Sequence, residues 1–411
     1  MRPTTERLWT LAHEPRGPLA PYLDSFAQLL VSKGFRQRHL GPQIRAAARF
    51  SRWLQARRVP ALDVTDEHVQ HFLQRRCMRK TIKEGAPAAL QRLLELLRQN
   101  GAAPKKIETV DLKPVEQVVQ QFGCDLLNRQ GLSDKTRVQY CPFVAIFLSE
   151  RYGSEPIDLA ALCAADVIRF IRGQAVRLSP PRAKVATIAL RSFLRYVRYR
   201  GEIKTELVAA VPTVPTWTMT GVPRAIAADY VRAALAHCQR DTLVGCRDYA
   251  ILLLLTRLGL RSGEIVSLTL DSMDWEHGTI AVSGKGGQDA RLPLPVEVGD
   301  ALARYLKLGR RSCSSRALFL RTNAPIRCLG SQTTIGTIVN AALTRAGVET
   351  PHRGAHQFRH ALAADMLRQG ATLSEIGSLL RHRHAKTTAI YAKVDFVALR
   401  PLSLPWPGAA S

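Results

Sequence analysis

Several features that would mark other protein classes are missing from this sequence of 411 residues. The eight cysteines form no C-x-x-C pair, which excludes the usual zinc-finger spacings and predicts free thiols in a reducing compartment. The longest apolar run, residues 249–255, is far too short to cross a bilayer, and the N-terminal letters MRPTTERLWT lack the apolar stretch of a signal peptide. We therefore expect a cytoplasmic protein with no membrane partner.

Acidic residues are also in short supply. The chain contains 59 Lys and Arg residues against 33 Asp and Glu residues, which gives a net charge of +26. A protein this basic repels itself, so an anionic partner is expected, and DNA or RNA fits because each neutralised phosphate releases counterions. Arginine far outnumbers lysine, and its planar fork suits bidentate phosphate contacts. An anionic membrane surface and the codon usage of a GC-rich genome are the alternative explanations.

The N-terminal half contains two segments that read alike. The first contains FAQLLVSKG (26–34), FSRWL (50–54), VQHFL (69–73) and ALQRLLELLRQNG (89–101), and the second contains FGCDLLNRQG (122–131), FLSERY (147–152), VIRFI (167–171) and ALRSFLRYVRYRG (189–201). The step from Gly34 to Phe50 equals the step from Gly131 to Phe147, sixteen residues each. Apolar residues recur at helical spacing. We expect two bundles of about four helices related by duplication, although any two four-helix units look similar at this level.

Changes in composition predict the domain boundaries. Three prolines interrupt the helical pattern between 204 and 223, so this segment is expected to be an extended linker. The predicted organisation is an N-terminal helical unit (1–105), a second helical unit (106–203), the linker (204–223), a C-terminal domain (224–395) and a tail (396–411).

Basic side chains in the second helical unit are candidates for gripping a nucleic-acid duplex. They are Arg177, Arg182, Lys184, Arg191, Arg195 and Arg198. Such a run suits phosphates or a groove, whereas a solvated helix face is the alternative for any single arginine. Arg291 and Arg381, in the C-terminal domain, are further candidates for contacts with DNA.

The C-terminal domain begins with helices and then changes to strands. In RLGLRSGEI (257–265), one helix is expected to end at Gly259 and the next to begin with Ser262 as its N-cap, which leaves Arg261 in a tight turn and Glu264 in a first helical turn. Residues 279–282 and 290–294 have strand character and flank a glycine-rich turn with Lys285 at its tip. With a third short strand, the chain is predicted to be mainly α with a small antiparallel β-sheet.

Two more pieces complete a possible site. In HQFRH (356–360), His356 and Arg359 share one face of a predicted helix, and the His356–His360 spacing invites a zinc site. Zinc is disfavoured because Gln357 stands where the general-base carboxylate of the H-E-x-x-H motif belongs. TLSE (372–375) is a capping box that starts the helix leading to His382, and Tyr391 follows nine residues later.

Taken in order, Arg261, Lys285, His356-x-x-Arg359, His382 and Tyr391 resemble the tyrosine recombinase (phage integrase) family. The matching strings are RLGLRSGEI, GKGGQDARLPL, HQFRH, LRH and TTAIY, over roughly residues 224–395. The resemblance implies one or more helical core-binding domains followed by a mixed α/β catalytic domain. It also implies a site-specific recombinase that cleaves and rejoins double-stranded DNA through a 3′-phosphotyrosyl link on Tyr391.

The resemblance also implies roles for the other residues. His356 would assist proton transfer, Lys285 would protonate the departing 5′ oxygen, His382 would bind a phosphate oxygen and Glu264 would orient its neighbours. Two guanidinium groups, Arg261 and Arg359, can clamp the phosphate oxygens, so neither a metal, nor ATP, nor another cofactor is expected. The chain would act as a tetramer on DNA in the nucleoid, with its tail docked on a neighbouring subunit or folded back on its own domain.

Two positions depart from the family pattern. The family usually has H-D-L-R-H where this chain has Gln357 and Phe358, and L-G-H where it has Arg381, which can add a DNA contact or restrict the turn. Neither belongs to the catalytic set, so we expect activity. A type IB topoisomerase and a non-catalytic accessory DNA-binding protein are the alternative functions.

Overall fold

The computed structural model describes residues 14–78, 85–105, 113–153, 155–214, 225–284 and 289–394. By their contacts, residues 107–220 form one compact unit, and residues 1–106 together with 221–411 form another. Within the second of these units, the Ile326 N–H donates a hydrogen bond to the Lys33 carbonyl oxygen (2.9 Å) and so joins the N-terminal helices to the C-terminal part.

The N-terminal helices form what we call the first bundle. Its α-helices are α1 (Leu23–Ser32), α2 (Gln37–Gln55), α3 (Asp66–Met78) and α4 (Ala86–Gln99). Each presents apolar residues at helical spacing to a common buried core. Inside that core the rings of Phe50 and Phe72 lie 5.2 Å apart, measured between centroids.

Residues 113–214 form the second bundle. Its α-helices are α5 (Pro114–Asn128), α6 (Asp134–Tyr152), α7 (Ala164–Arg177) and α8 (Pro180–Tyr199). The rings of Phe147 and Phe170 in its core are also 5.2 Å apart. Leu207 and Val211, from the segment that we predicted to be a linker, are buried in this core, whereas residues 215–223 lie outside the described residues.

The C-terminal part is mainly helical and carries a small sheet. Its α-helices are α9 (Ala228–Ala236), α10 (Leu243–Arg257), α11 (Ser262–Ser267), α12 (Val296–Arg304), α13 (Gln332–Arg345), α14 (His356–Arg368), α15 (Leu373–Leu379) and α16 (Ala385–Thr388). A π-helical turn (Tyr305–Gly309) follows α12, and a 3₁₀ segment (Ala389–Val394) follows α16. The apolar run of α10 is buried on all sides, at the centre of the core.

The strands of the sheet are β1 (Met273–Asp274), β2 (Thr279–Ser283) and β3 (Asp289–Pro293). They are antiparallel in the order β1-β2-β3, and Ile280 faces Leu292 across the β2–β3 pair. Ile280 and Val282 alternate with more exposed residues along β2, so one face of the sheet covers the core. The predicted fold class, mainly α with a small antiparallel sheet, is confirmed.

The helix starts agree with the sequence signals, with one correction. Thr372 caps α15, because its hydroxyl accepts a hydrogen bond from the Glu375 N–H (3.2 Å) while the Glu375 carboxylate accepts one from the Thr372 N–H (2.7 Å). The prediction that Ser262 is an N-cap was wrong by one residue, since Arg261 holds the extended N-cap conformation and α11 begins at Ser262. The Glu264 carboxylate satisfies the freed Arg261 N–H, a geometry that does not need a serine hydroxyl.

Candidate active site

Arg261 and Glu264 form the first part of the site. Glu264 Oε2 accepts a hydrogen bond from the Arg261 N–H (2.8 Å), and Oε1 accepts one from Arg261 Nη1 (2.7 Å). The Glu264 side chain is only 3% exposed, whereas that of Arg261 is 36% exposed. The buried carboxylate therefore holds an arginine whose side chain reaches solvent.

Arg359 is a buried cation held by the backbone. It is 1% exposed, and its two terminal nitrogens donate to the carbonyl oxygens of Gly259 and Leu380. Burial lowers the pKa of Arg359 to about 10, and the charges of Arg261 and Arg381 act in the same direction. The guanidinium thus joins α14 to the turn before α11 and to the end of α15 while it remains charged at neutral pH.

His382 lies where α15 ends. Its Nδ1 is 2.8 Å from the Thr388 hydroxyl, and its backbone N–H donates to the Gly377 carbonyl oxygen (2.9 Å). Burial lowers the pKa of His382 to about 4, and nearby Arg359 and Arg261 also lower it. The ring is therefore neutral at physiological pH.

Tyr391 is enclosed and its hydroxyl contacts a histidine that our prediction did not include. Its Oη lies 2.7 Å from Nδ1 of His360, and the residue is 2% exposed. Burial raises the pKa of Tyr391 to about 12, although the charge of Arg359 lowers it. Burial lowers the pKa of His360 to about 4, helped by His356 and Arg359. A protonated phenol therefore faces a neutral imidazole.

The sequence contains a signal for His360, namely its spacing from His356, which was considered only as evidence for a zinc site. It follows Arg359 and lies one helical turn after His356, and the rings of the two histidines are 4.3 Å apart at an interplanar angle of 74°. His356 itself is exposed, and partial loss of solvent together with Arg359 and Arg261 lowers its pKa. Among the described residues, no group of three or more His, Cys, Asp or Glu side chains could hold a metal ion.

The structure thus brings together most of the catalytic candidates. Arg261, Glu264, His356, His382 and Tyr391 all lie within electrostatic reach of Arg359 and form one cluster around it. Lys285 lies outside the described residues. Arg381 turns inward, where its Nη2 donates to Glu264 Oε2 (2.8 Å), and Arg291 lies on the surface with its Nη1 3.3 Å from Asp274 Oδ2.

The candidates for DNA contact in the second bundle divide into two kinds. Arg191 is half-buried, and its Nη2 donates to the Val211 carbonyl oxygen (2.8 Å), which is a structural contact. The remaining candidates lie on the surface: Arg177, Arg182, Lys184, Arg195 and Arg198. Of these, Arg177 pairs with Glu150 at 3.0 Å, and Arg198 pairs with Glu206.

Known proteins resemble the chain over most of its length. The protein y4rA of Sinorhizobium fredii, which bears the name integrase/recombinase, is 48% identical over 404 residues that cover 98% of both chains. The chain belongs to the phage integrase family. The profile of that family matches residues 224–397, and the tyrosine recombinase XerD of Pseudomonas putida is 31% identical over 69% of this chain and 95% of its own.

Solved structures share the fold of this integrase-family chain. A XerH site-specific recombinase bound to its palindromic difH substrate, in a post-cleavage complex, matches with a TM-score of 0.56, 18% identity and coverage of 71% of this chain and 97% of that one. A lambda integrase (residues 75–356) dimer bound to a COC′ core site matches with a TM-score of 0.51, 18% identity and coverage of 72% and 99%.

Family membership identifies the chain as a DNA strand transferase of the tyrosine recombinase type. Integrase and recombinase relatives support site-specific recombination, so neither a type IB topoisomerase nor a non-catalytic accessory protein is favoured. Among the described residues, no helix combines the length and apolar composition that a membrane span requires.

Proposed function

We propose that this integrase-family protein cleaves double-stranded DNA with Tyr391 as the nucleophile and rejoins it to another strand. The observation that carries this proposal is the Tyr391 hydroxyl, which is hydrogen-bonded to His360 within a cluster of arginines. In the forward step, a bond forms between Tyr391 Oη and phosphorus, and the bond from phosphorus to the 5′ oxygen breaks. The 5′ hydroxyl of a second strand reverses this step and releases the tyrosine.

The proton of Tyr391 needs an acceptor in this step, because a phenol is a weak nucleophile at its ordinary pKa. His360 Nδ1 is already at hydrogen-bond distance and accepts the proton when its own hydrogen is on Nε2. His360 then takes the proton-transfer role that the family resemblance implies for His356. His356 lies beside it at an exposed position. Lys285 supplies a proton to the departing 5′ oxygen, as the resemblance implies.

The arginines stabilise the five-coordinate phosphorus. Arg261 extends from a turn that Glu264 holds, and Arg359 is fixed by two carbonyl oxygens, which leaves further N–H donors of its five. Fixed donors of this kind need no rearrangement as charge develops, and the loss of one typically costs ~10²–10³ in rate. Guanidinium groups therefore take the place of a metal, and the phosphotyrosyl bond conserves the energy that ATP would otherwise supply.

Tyr391 has to leave its buried position to reach a phosphate. Its ring packs with Ala363, Ile376 and Leu380 in a small apolar cluster, so the described conformation keeps the nucleophile covered. The 3₁₀ segment (Ala389–Val394) carries Tyr391 and is the part that has to move. DNA binding, assembly into a tetramer and docking of the tail (396–411) on a neighbouring subunit would provide the free energy for this movement.

The experiment first maps where tyrosine-linked DNA accumulates across the host genome and then tests a nicked suicide duplex made from that site. Wild-type protein is expected to form a covalent adduct with EDTA present and ATP absent. Tyr391→Phe is expected to bind the duplex equally well and to form no adduct. Equal trapping by both proteins would refute Tyr391 as the nucleophile, and relaxation of any supercoiled plasmid would favour a topoisomerase.

A further inference from the structure

Arg381 occupies a backbone position that normally suits glycine. Its φ is +53°, in the left-handed region that is unfavourable for residues with a side chain. The bonds from Arg381 N–H to the Ser378 carbonyl oxygen (3.0 Å) and from His382 N–H to that of Gly377 (2.9 Å) form a Schellman motif at the end of α15. Arg381 lies between the C-cap residue, Leu380, and His382. The backbone conformation of Arg381 therefore sets the position of His382.

The side chain of Arg381 reaches from the end of α15 to Glu264 on α11. Its Nη2 donates to Glu264 Oε2 (2.8 Å), its Nη1 donates to the Leu379 carbonyl oxygen (3.2 Å), and it is 14% exposed. Its own carbonyl oxygen accepts a hydrogen bond from Arg261 Nη2 (3.3 Å). Arg381 therefore contacts Arg261 through its backbone and Glu264 through its side chain.

We propose that Arg381 is a positioning residue that couples the turn bearing Arg261 to the turn bearing His382 through its ion pair with Glu264. The inference rests on the proposed function. A glycine at this position would accept the left-handed conformation and preserve the Schellman motif, but among the described residues it would leave Oε2 of Glu264 with only the Arg261 N–H as a partner. In this chain the arginine thus adds a connection between α11 and the end of α15.

The connection has an electrostatic consequence for Glu264. Burial raises the pKa of this carboxyl, but the bond from the Arg261 N–H and the charges of Arg381 and Arg261 bring it below its usual value. Within the described part of the chain, the charged groups that act on Glu264 in the cluster are Arg261, Arg359 and Arg381. Without Arg381 the pKa of Glu264 rises, so the carboxylate that holds Arg261 is lost at a higher pH.

The test compares Arg381→Gly with wild type in the suicide-duplex assay across acidic pH. Arg381→Gly is expected to lower the cleavage rate by up to about 10²-fold, because Arg261 is held less firmly. It is also expected to move the acidic fall in rate upward by about one pH unit or more. Arg383→Ala is the matched control, since it removes the same charge from an exposed position two residues away and leaves the Glu264 pair intact.

A double variant separates positioning through Glu264 from a general loss of stability. Glu264→Gln removes the titrating group, so Arg381→Gly is expected to add little to its effect on rate and no further change to its pH profile. Additive losses, or a wild-type rate and pH profile for Arg381→Gly, would overturn the inference while wild type still forms its adduct. If wild type forms no adduct on the mapped duplex, the proposed function itself fails.

Discussion

In the described conformation, the histidine that is hydrogen-bonded to the Tyr391 hydroxyl is a poor acceptor for its proton. The difference between a tyrosine pKa of about 12 and a histidine pKa of about 4 opposes proton transfer by on the order of 10 kcal/mol, before the attraction within the resulting ion pair is counted. Two changes reduce this cost: an approaching phosphate raises the pKa of His360, and movement of Tyr391 toward the arginines lowers its own pKa. We therefore expect Tyr391, the proposed nucleophile, to be inactive until DNA is present.

His360→Asn tests the role of the acceptor. The asparagine oxygen takes the place of Nδ1 and can accept the Tyr391 hydrogen bond, but it cannot take the proton. We expect cleavage of the suicide duplex to fall by ~10²–10⁴, the usual contribution of a general base, with DNA binding unchanged. His384→Asn, at an exposed position, is the control and is expected to cleave at the wild-type rate. A wild-type rate for His360→Asn would instead return the acceptor role to His356.

At the scale of elements, the turn between α10 and α11 sets the position of Arg261 and Arg359, the two arginines of the proposed site. Gly259 has a φ of +55°, and its carbonyl oxygen accepts a hydrogen bond from Arg359. A Cβ at this position would lie 2.6 Å from Cδ2 of Leu380 and 3.1 Å from Cδ2 of Leu362. The absence of a side chain therefore lets α15 approach the turn closely enough for Arg359 to reach both.

Gly259→Ala is expected to destabilise the C-terminal part by about 2–4 kcal/mol, through backbone strain and overpacking. It should also reduce cleavage, because the Arg359 anchor moves. Gly278→Ala is the matched control: its φ is +58°, and a Cβ there would meet nothing within 4 Å, so only the strain of about 1–2 kcal/mol remains. Urea unfolding midpoints compare the two, and equal shifts would show that contact with Leu380 is unimportant.

Elements were more predictable from the sequence than the contacts between them. Helical spacing, the Thr372 capping box and the β2–β3 hairpin depend on residues close in the chain, and these predictions were confirmed. The contacts of His360 with Tyr391 and of Arg381 with Glu264 span 31 and 117 residues. No local pattern determines such pairs, because they depend on how the helices pack. The contact of His360 with Tyr391 and the direction of the Arg381 side chain therefore could not be predicted from the sequence.

The two bundles illustrate the same distinction. Duplication was predicted from matched spacings, which paired Phe50 with Phe147 and Phe72 with Phe170. In each bundle the two phenylalanines meet at the same ring separation, 5.2 Å. This agreement supports the prediction that the bundles arose by duplication, because the residues that match in position also make the same ring contact. The first bundle nevertheless belongs to the same compact unit as the C-terminal part, which the spacings did not indicate.

At the scale of the whole molecule, the proposed catalytic cluster and the proposed DNA-binding residues of the second bundle belong to different compact units. On α8, Lys184, Arg191, Arg195 and Arg198 are spaced by 7, 4 and 3 residues, which places them along one face of the helix. Arg191 is used within the bundle, whereas Arg195 is exposed. We expect part of the net charge of +26 to act along this face, where basic side chains would contact the phosphates of a duplex.

Arg195→Ala tests this use through the salt dependence of DNA binding. Each phosphate contact contributes about 0.9 to the slope of log K against log salt concentration, because binding releases counterions. We expect the slope to become shallower by about this amount, equally on specific and unrelated duplexes, since a phosphate contact carries no sequence information. Arg169→Ala removes the same charge from a side chain that is 76% exposed and paired with Asp166, and its slope is expected to stay close to that of wild type. If both variants change the slope equally, the charge of the second bundle acts as a general field and α8 has no special contact with DNA.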